Sequence, residues 1–270
     1  MIPGACILQN HGWRCEIANR GATGLTNLKM AVPERVRVGD SALLTCTYDL
    51  ENATLYTIKW YLDEAEFYRF VPKNNVTVTT FPVRGIDVNT AKSNKYEVTL
   101  VNVQRRHSGR YKCEVSEDGP RYDTKSMEAS FIVVDVPDTV PRIIINRQHV
   151  IPGGEFRANC TSGAAHPAPN ITWKLNGLPP PSAPRAIVRS EIKLVHIPSD
   201  TLPSVHDEEK YFTQSLLTVN TSGLFRDGRI QLRCFAEISP VYKADAMAEI
   251  TEADRHPVPI TGNTASRSFR

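Results

Sequence analysis

Six cysteines are the residues of this 270-residue chain whose type and spacing could carry covalent chemistry. Four of them form two sets, each with a tryptophan between its cysteines: Cys46, Trp60 and Cys113, then Cys160, Trp173 and Cys234. The tryptophan follows the first cysteine at nearly the same offset in both sets. This layout is typical of the immunoglobulin sandwich, in which a disulfide joins two facing sheets and the tryptophan packs against it. We therefore predict the bridges Cys46–Cys113 and Cys160–Cys234.

Four buried free thiols in a cytosolic protein are the alternative interpretation, but they would not explain two tryptophans at matched offsets. Structural disulfides persist in oxidising compartments, so we expect the chain outside the cell or on its surface, either secreted or membrane-anchored. Cys6 and Cys15 lie outside both sets. They could pair with each other or with another chain, and the sequence does not decide between these.

Alternation of apolar and polar residues supplies the strands that a sandwich needs. Ile58 and Leu62 share the parity of Trp60, and Tyr111 stands two residues before Cys113, where such domains carry a tyrosine corner. The sequence thus predicts an all-β chain of two tandem immunoglobulin-like β-sandwich domains. The first is expected to be variable-type and the second of constant or intermediate type.

The chain divides into four expected segments. The variable-type domain is placed at 25–138 and the second domain at 139–251, with a segment of undefined role at 1–24 and a polar, disordered tail at 252–270. Residues 1–8 are apolar but lack the positive region of a secretory signal, and no stretch approaches the roughly 18 apolar residues of a membrane span. The proline-rich stretch 178–210 carries no pattern that assigns an element.

N-glycosylation is the second chemistry that the sequence indicates. Four Asn-x-Ser/Thr sequons fall at predicted loops or strand ends: Asn52, Asn75, Asn170 and Asn220. Asn159 matches the same pattern, but it is expected in mid-strand beside a bridging cysteine, and we reject it. The four sequons agree with export of the chain.

Catalysis finds no support in the sequence. The seven histidines are scattered, no glycine-rich loop precedes a helix, and the cysteines are assigned to bridges rather than to zinc. The net charge of +3 is too small to argue for nucleic acid. We therefore predict no enzyme activity, no cofactor, no metal and no small-molecule substrate.

An aromatic stretch after Trp60 is the candidate binding element. The residues YLDEAEFYRFVP read as strand C, a turn at residues 63–65, and strand C′, so that either Phe67 with Arg69 or Tyr68 with Phe70 should face solvent. Aromatic residues and arginine are the types that anchor protein interfaces. The alternative is that the stretch covers a loop or packs under strand C″. We predict a partner-binding face on strands C, C′, F and G of the first domain, including the F–G turn, with these residues: Tyr61, Phe67, Tyr68, Arg69, Phe70, Glu114 and Tyr122.

Three stretches carry a family resemblance. LLTCTYDLENATLYTIKWYLDEAEFYRFVP, SGRYKCEVSEDGPRYDT and NCTSGAAHPAPNITWKLNG resemble the Beaten path family of insect cell-surface and secreted proteins, over about residues 25–250. The resemblance implies a neuronal immunoglobulin-superfamily protein that binds a transmembrane receptor of the Sidestep family. It also implies a role in axon guidance, fasciculation or synaptic partner choice.

Heterophilic recognition of a Sidestep-like receptor is therefore the expected function. Two other classes remain open: a homophilic cell-adhesion molecule, and an enzyme or enzyme inhibitor on an immunoglobulin scaffold. Self-association would distinguish the first, because a purely heterophilic ligand should stay monomeric. No sequence feature supports the second.

Overall fold

The structure is a computed structural model that describes residues 24–195 and 209–253, together with the backbone of a short hairpin. The hairpin strands are β1 (Cys6–Gln9) and β2 (Gly12–Cys15). Their register places Cys6 opposite Cys15 along the backbone. The pairing of these two thiols lies outside the described residues. The same holds for the disorder predicted for the tail, of which only residues 252 and 253 are described.

Residues up to Val133 form one compact unit and those from Val134 form a second. From residue 24 onward, the first unit is a sandwich of ten strands with 3-10 turns at Thr90–Lys92 and Arg105–His107. The strands are β3 (Thr26–Ala31), β4 (Arg35–Arg37), β5 (Ala42–Asp49), β6 (Leu55–Leu62), β7 (Ala65–Phe70), β8 (Val78–Thr80), β9 (Asp87–Val88), β10 (Glu97–Val101), β11 (Gly109–Glu117) and β12 (Thr124–Val134).

The strand order of this unit is that of a variable-type domain. One sheet runs β3-β5-β10-β9, and the other runs β4-β12-β11-β6-β7-β8. Strands β7 and β8 occupy the C′ and C″ positions that distinguish variable-type from constant-type domains. The predicted variable type is therefore confirmed.

The core of the first unit is built around the predicted bridge. Cys46 and Cys113 are joined by a disulfide with their Cα atoms 6.4 Å apart, and Trp60 is fully buried. The Tyr111 hydroxyl donates to the His107 carbonyl at 2.7 Å, which forms the predicted tyrosine corner. Large side chains of both sheets thus close one hydrophobic core.

The described residues of the second unit form a sandwich of eight strands. They are β13 (Arg142–Ile145), β14 (His149–Val150), β15 (Glu155–Thr161), β16 (Asn170–Leu175), β17 (Ala186–Val195), β18 (Lys210–Asn220), β19 (Arg229–Ile238) and β20 (Tyr242–Glu252). One sheet runs β13-β15-β18-β17 and the other β14-β20-β19-β16, which is a constant-type arrangement. The second predicted bridge, Cys160–Cys234, is present, and the indole N–H of Trp173 donates to the Ser215 hydroxyl at 3.0 Å.

The segment from Val134 to Pro141 packs within the second unit. Val134 is fully buried in a small cluster with Ala165 and Ile238. Asp135 exchanges two backbone hydrogen bonds of 2.9 Å with His166. This segment includes the boundary that the sequence placed between residues 138 and 139.

Candidate protein-recognition face

The outward side chains of β6, β7, β11 and β12 form one continuous surface on the six-stranded sheet. Antiparallel register aligns Glu114 with Lys59, and Lys59 with Arg69. Two residues further along the strands, Lys112 lies opposite Tyr61. We call this surface the front face and define it by these residues: Lys59, Tyr61, Glu64, Glu66, Arg69, Arg110, Lys112, Glu114 and Glu128.

Tyr61 is the aromatic residue of this face. Its hydroxyl donates to a carboxylate oxygen of Glu114 at 3.2 Å, and the Lys112 ammonium lies 4.6 Å from the centre of its ring. Burial and the negative charges of Glu114 and Glu66 raise the pKa of Tyr61 to about 12. The phenol therefore stays protonated at neutral pH. It presents a half-buried ring whose hydroxyl is already directed at Glu114.

Ion pairs connect the charged residues around Tyr61. Glu114 also accepts from the Lys59 ammonium at 3.2 Å, and Arg69 bonds both carboxylate oxygens of Glu66 at 2.6 and 2.8 Å. At the β6–β7 turn, Glu64 pairs with Lys112 and Arg110, and Arg110 also pairs with Glu128. These side chains range from part-buried to exposed, and ion pairs at a protein surface contribute only about 0–1 kcal/mol each to folding. The network instead holds long side chains in defined positions on an open surface.

The aromatic stretch is placed differently from the prediction. Phe67 and Tyr68 are both 0% exposed, so the expectation that one of them faces solvent is wrong. The reason is a bulge: Trp60 pairs with Tyr68, but the next residue, Tyr61, pairs with Glu66. Phe67 is the extra residue, and a bulge lets two consecutive side chains point to the same side of the sheet.

The buried aromatics have defined partners in the core. Phe67 packs edge-on against Tyr111, with ring centres 5.9 Å apart, and Tyr68 donates its hydroxyl to the Asn94 carbonyl at 3.1 Å. Phe70 is half-buried and packs against the same core. The aromatic surface of this stretch therefore stabilises the domain rather than facing a partner.

The remaining predicted residues lie at the surface. Tyr61, Arg69 and Glu114 belong to the front face, and their outward orientation was predicted from strand parity, with Arg69 as one of two alternatives. Tyr122 is 71% exposed in the β11–β12 turn, with φ of 59° in the left-handed region. It is not joined to the front-face network by any contact of the described residues.

Sequence reasoning missed most of the charged members of this face. They are Lys59, Glu64, Glu66, Arg110, Lys112 and Glu128. Strand parity was the available signal, because Lys59 shares the parity of Tyr61, and Arg110 and Lys112 share that of Glu114. The cross-strand pairing that makes them one network depends on a register that the sequence did not define.

The four sequons lie at the surface of the described domains. Asn52, Asn75 and Asn170 are exposed, whereas Asn220 is half-buried and its side-chain amide donates to the Gly153 carbonyl at 3.1 Å. Asn159 lies within β15 and faces Ile144 and Leu216 on the neighbouring strands, which agrees with its rejection as an acceptor.

Within 24–195 and 209–253, no three histidine, cysteine, aspartate or glutamate side chains converge as metal ligands would. No helix in the same part of the chain is long and apolar enough to cross a membrane.

Family comparisons agree with the architecture of both domains. Residues 31–131 match the immunoglobulin V-set domain, and residues 141–239 match the CD80-like C2-set immunoglobulin domain. The chain therefore belongs to the immunoglobulin superfamily, with one domain of each set in tandem.

Similar proteins include named adhesion molecules. Human junctional adhesion molecule A is 25% identical over 167 residues, which are 61% of this chain and 52% of that protein. Human cell adhesion molecule 1 is 33% identical over 81 residues, which are 30% of this chain and 17% of that protein. The chain thus spans about half of the first relative's length and less of the second.

Among solved structures, murine CEACAM1b superposes with a TM-score of 0.58 at 18% identity, covering 84% of this chain and 100% of that one. This likeness shows the shared fold.

Proposed function

We propose that this chain is a non-enzymatic extracellular recognition protein whose first domain binds another immunoglobulin-superfamily protein through the front face. The observation that carries the proposal is the half-buried Tyr61 at the centre of a set of paired surface charges, some part-buried and some exposed. Ion pairs at a protein surface contribute little to folding stability, so their alignment on one face supports a role in binding. Two disulfides, both of which need an oxidising compartment, support an extracellular location.

The front face combines the two components that specific protein interfaces use. A tyrosine supplies the apolar area and the directed donor that anchors typically provide. Charged neighbours such as Lys59 and Arg69 set orientation and association rate more than affinity. We infer that the partner offers a complementary, alternating pattern of charge around a pocket or ring that accepts Tyr61.

The resemblance to the Beaten path family directs the choice of partner. A transmembrane receptor of the Sidestep family is the partner it implies, with a role in axon guidance, fasciculation or synaptic partner choice. The adhesion molecules among the similar proteins support recognition at a cell surface, without indicating which partner is bound.

Binding of the exported full-length chain to a panel of Sidestep-family ectodomains tests the proposal. Tyr61→Ala should weaken binding by about 2 kcal/mol, which is roughly thirtyfold, and Lys59→Glu should slow association. Lys29→Glu, an exposed charge reversal on the opposite sheet of the same domain, is the matched control. Unchanged binding of both front-face variants would contradict the assignment of the face.

A homophilic adhesion molecule is the second candidate, and one observation favours it. The front face holds four cations and four anions, so a second copy could meet each sign with its opposite. Self-association that is abolished by Lys59→Glu, without binding to any panel receptor, would select this candidate over the heterophilic one.

A further inference from the structure

Strand β17 is an unusually long open edge. Eight strands stand at sheet ends in the two described sandwiches, and seven of them are two to six residues long, whereas β17 has ten. No described strand pairs with its outer side, and its register with β18 runs from Ala186 to Val195 without a bulge. Proteins usually keep edge strands short, bulged or covered, because an open edge accepts further strands.

The backbone groups that face this open edge follow from one hydrogen bond. The backbone amide of Asn220 donates to the Arg185 carbonyl at 2.9 Å. This bond lies one residue before the pair Ala186–Val219. Because hydrogen-bonded pairs alternate along an antiparallel ladder, every second residue of β17 directs its amide and carbonyl away from β18. These residues are Ala186, Val188, Ser190, Ile192 and Leu194.

Two apolar side chains accompany those backbone groups. Val188 and Ile192 lie on the core side of the sheet, because their partners on β18 are Leu217 and Thr213, both buried. Even so, Val188 is 47% exposed and Ile192 is 65% exposed. The edge therefore presents apolar area together with unpaired ladder positions.

We propose that this edge binds the same strand of a second copy of the chain, antiparallel, with the two-fold axis at Ser190. In this register Val188 lies opposite Ile192 of the second copy, and the reverse contact forms on the other side of the axis. Arg189 lies opposite Glu191 of the second copy, again twice. Cross-strand pairs of opposite charge and of apolar side chains both favour strand pairing.

The charges of β17 select this register over its neighbours. Moving the axis to Glu191 would place Arg189 opposite Lys193, and moving it to Arg189 would place two arginines opposite each other. Both arrangements oppose like charges. An axis at Ile192 would pair Glu191 with Lys193, but it would place Ser190 opposite Leu194 and lose the contact between Val188 and Ile192.

Charge reversal tests the pairing in the full-length chain by sedimentation over a dilution series. Arg189→Glu and Glu191→Arg should each raise the dimer dissociation constant about tenfold or more, because each opposes like charges twice. The double variant Arg189→Glu/Glu191→Arg should restore the dimer. Arg142→Glu, an exposed reversal on β13 at the other end of the same sheet, is the control that should leave the dimer unchanged.

A cysteine at the axis tests the register. Residues that face each other in a hydrogen-bonded pair have Cα atoms about 5.5 Å apart, which suits a disulfide. With oxidised glutathione as oxidant, Ser190→Cys should form a covalent dimer. Lys193→Cys should not, because in this register its two copies lie six positions apart, about 20 Å.

Several outcomes would overturn the proposal. A wild-type chain that stays monomeric at the highest concentration reached, or a double variant that fails to dimerise while its unfolding midpoint matches the wild type, would do so. A covalent dimer from Ile192→Cys in place of Ser190→Cys would refute the register. Loss of self-association by Lys59→Glu with none by Arg189→Glu would assign the contact to the front face instead.

Discussion

His107 is a buried histidine whose two ring nitrogens are both engaged in the first domain. Its Nδ1 accepts from the backbone amide of Gln104 at 3.0 Å, and its Nε2 lies 3.1 Å from the Arg84 carbonyl. The two contacts together define a neutral ring that donates through Nε2. Burial, followed by the positive charges of Arg106 and Arg84, lowers the pKa of His107 below its ordinary value. Protonating this ring would place an unpaired donor against the Gln104 amide.

The lowered pKa of His107 predicts a pH dependence of stability. The contribution of the neutral ring is fully present above the unfolded pKa of roughly 6.5, and it is lost as the pH falls through the lower folded value. Thermal unfolding between pH 7.5 and pH 5 should therefore show a falling midpoint. His107→Gln should flatten that slope, and His149→Gln, at an exposed histidine of the second domain, serves as the control. An unchanged slope in His107→Gln would contradict the assignment.

At the scale of the element, the bulge in β7 separates residues that stabilise the domain from residues that face solvent. Phe67→Ala should lower the free energy of unfolding by about 3–5 kcal/mol, because a fully buried aromatic leaves a cavity. Arg69→Gln, two residues away on the surface, should change it by less than about 1 kcal/mol. Denaturant unfolding of both variants measures the difference, and equal effects would refute this placement.

The alternation of inward and outward side chains was enough to predict much of the strand structure. It fails where the chain departs from regular alternation. The inward set around Trp60 is regular, so period-two alternation identified it and the outward Tyr61. The stretch around Phe67 is not regular, because one inserted residue reverses the parity, and nothing in its composition marks the insertion. Strand β17 was not predicted, because nearly all of its residues are exposed on both sides of the sheet. A strand of this kind lacks the alternation of apolar and polar residues that identifies strands in a sequence.

At the scale of the whole molecule, glycan occupancy should follow the surroundings of each sequon. We expect glycans on Asn52, Asn75 and Asn170, which are exposed. Asn220 should be occupied least, because its side-chain amide already donates to the Gly153 carbonyl and its side-chain carbonyl accepts from the Ser222 backbone amide. Glycopeptide mass spectrometry of exported protein measures this, and occupancy highest at Asn220 would contradict it.

The segment that precedes the second domain predicts how that domain behaves alone. A fragment of residues 134–253 should be more stable than one of residues 139–253, because the shorter fragment lacks buried Val134 and both Asp135–His166 hydrogen bonds. Burial of the valine alone is worth about 1.5 kcal/mol or more. Thermal unfolding of the two fragments gives the comparison, and equal midpoints would show that the segment does not contribute.

Val134 and Asp135 also bear on how such domains are exchanged between proteins. A gene fusion that joins a foreign first domain at residue 139 would discard the valine that fills the cluster of Ala165 and Ile238, and with it the Asp135 carboxylate that pairs with Lys210 at 3.1 Å. A junction at residue 134 carries these residues along with the domain that uses them. The unit that should be transferred therefore begins at Val134, the last residue of β12, and a chimaera joined at residue 139 would lose contacts that the second domain uses.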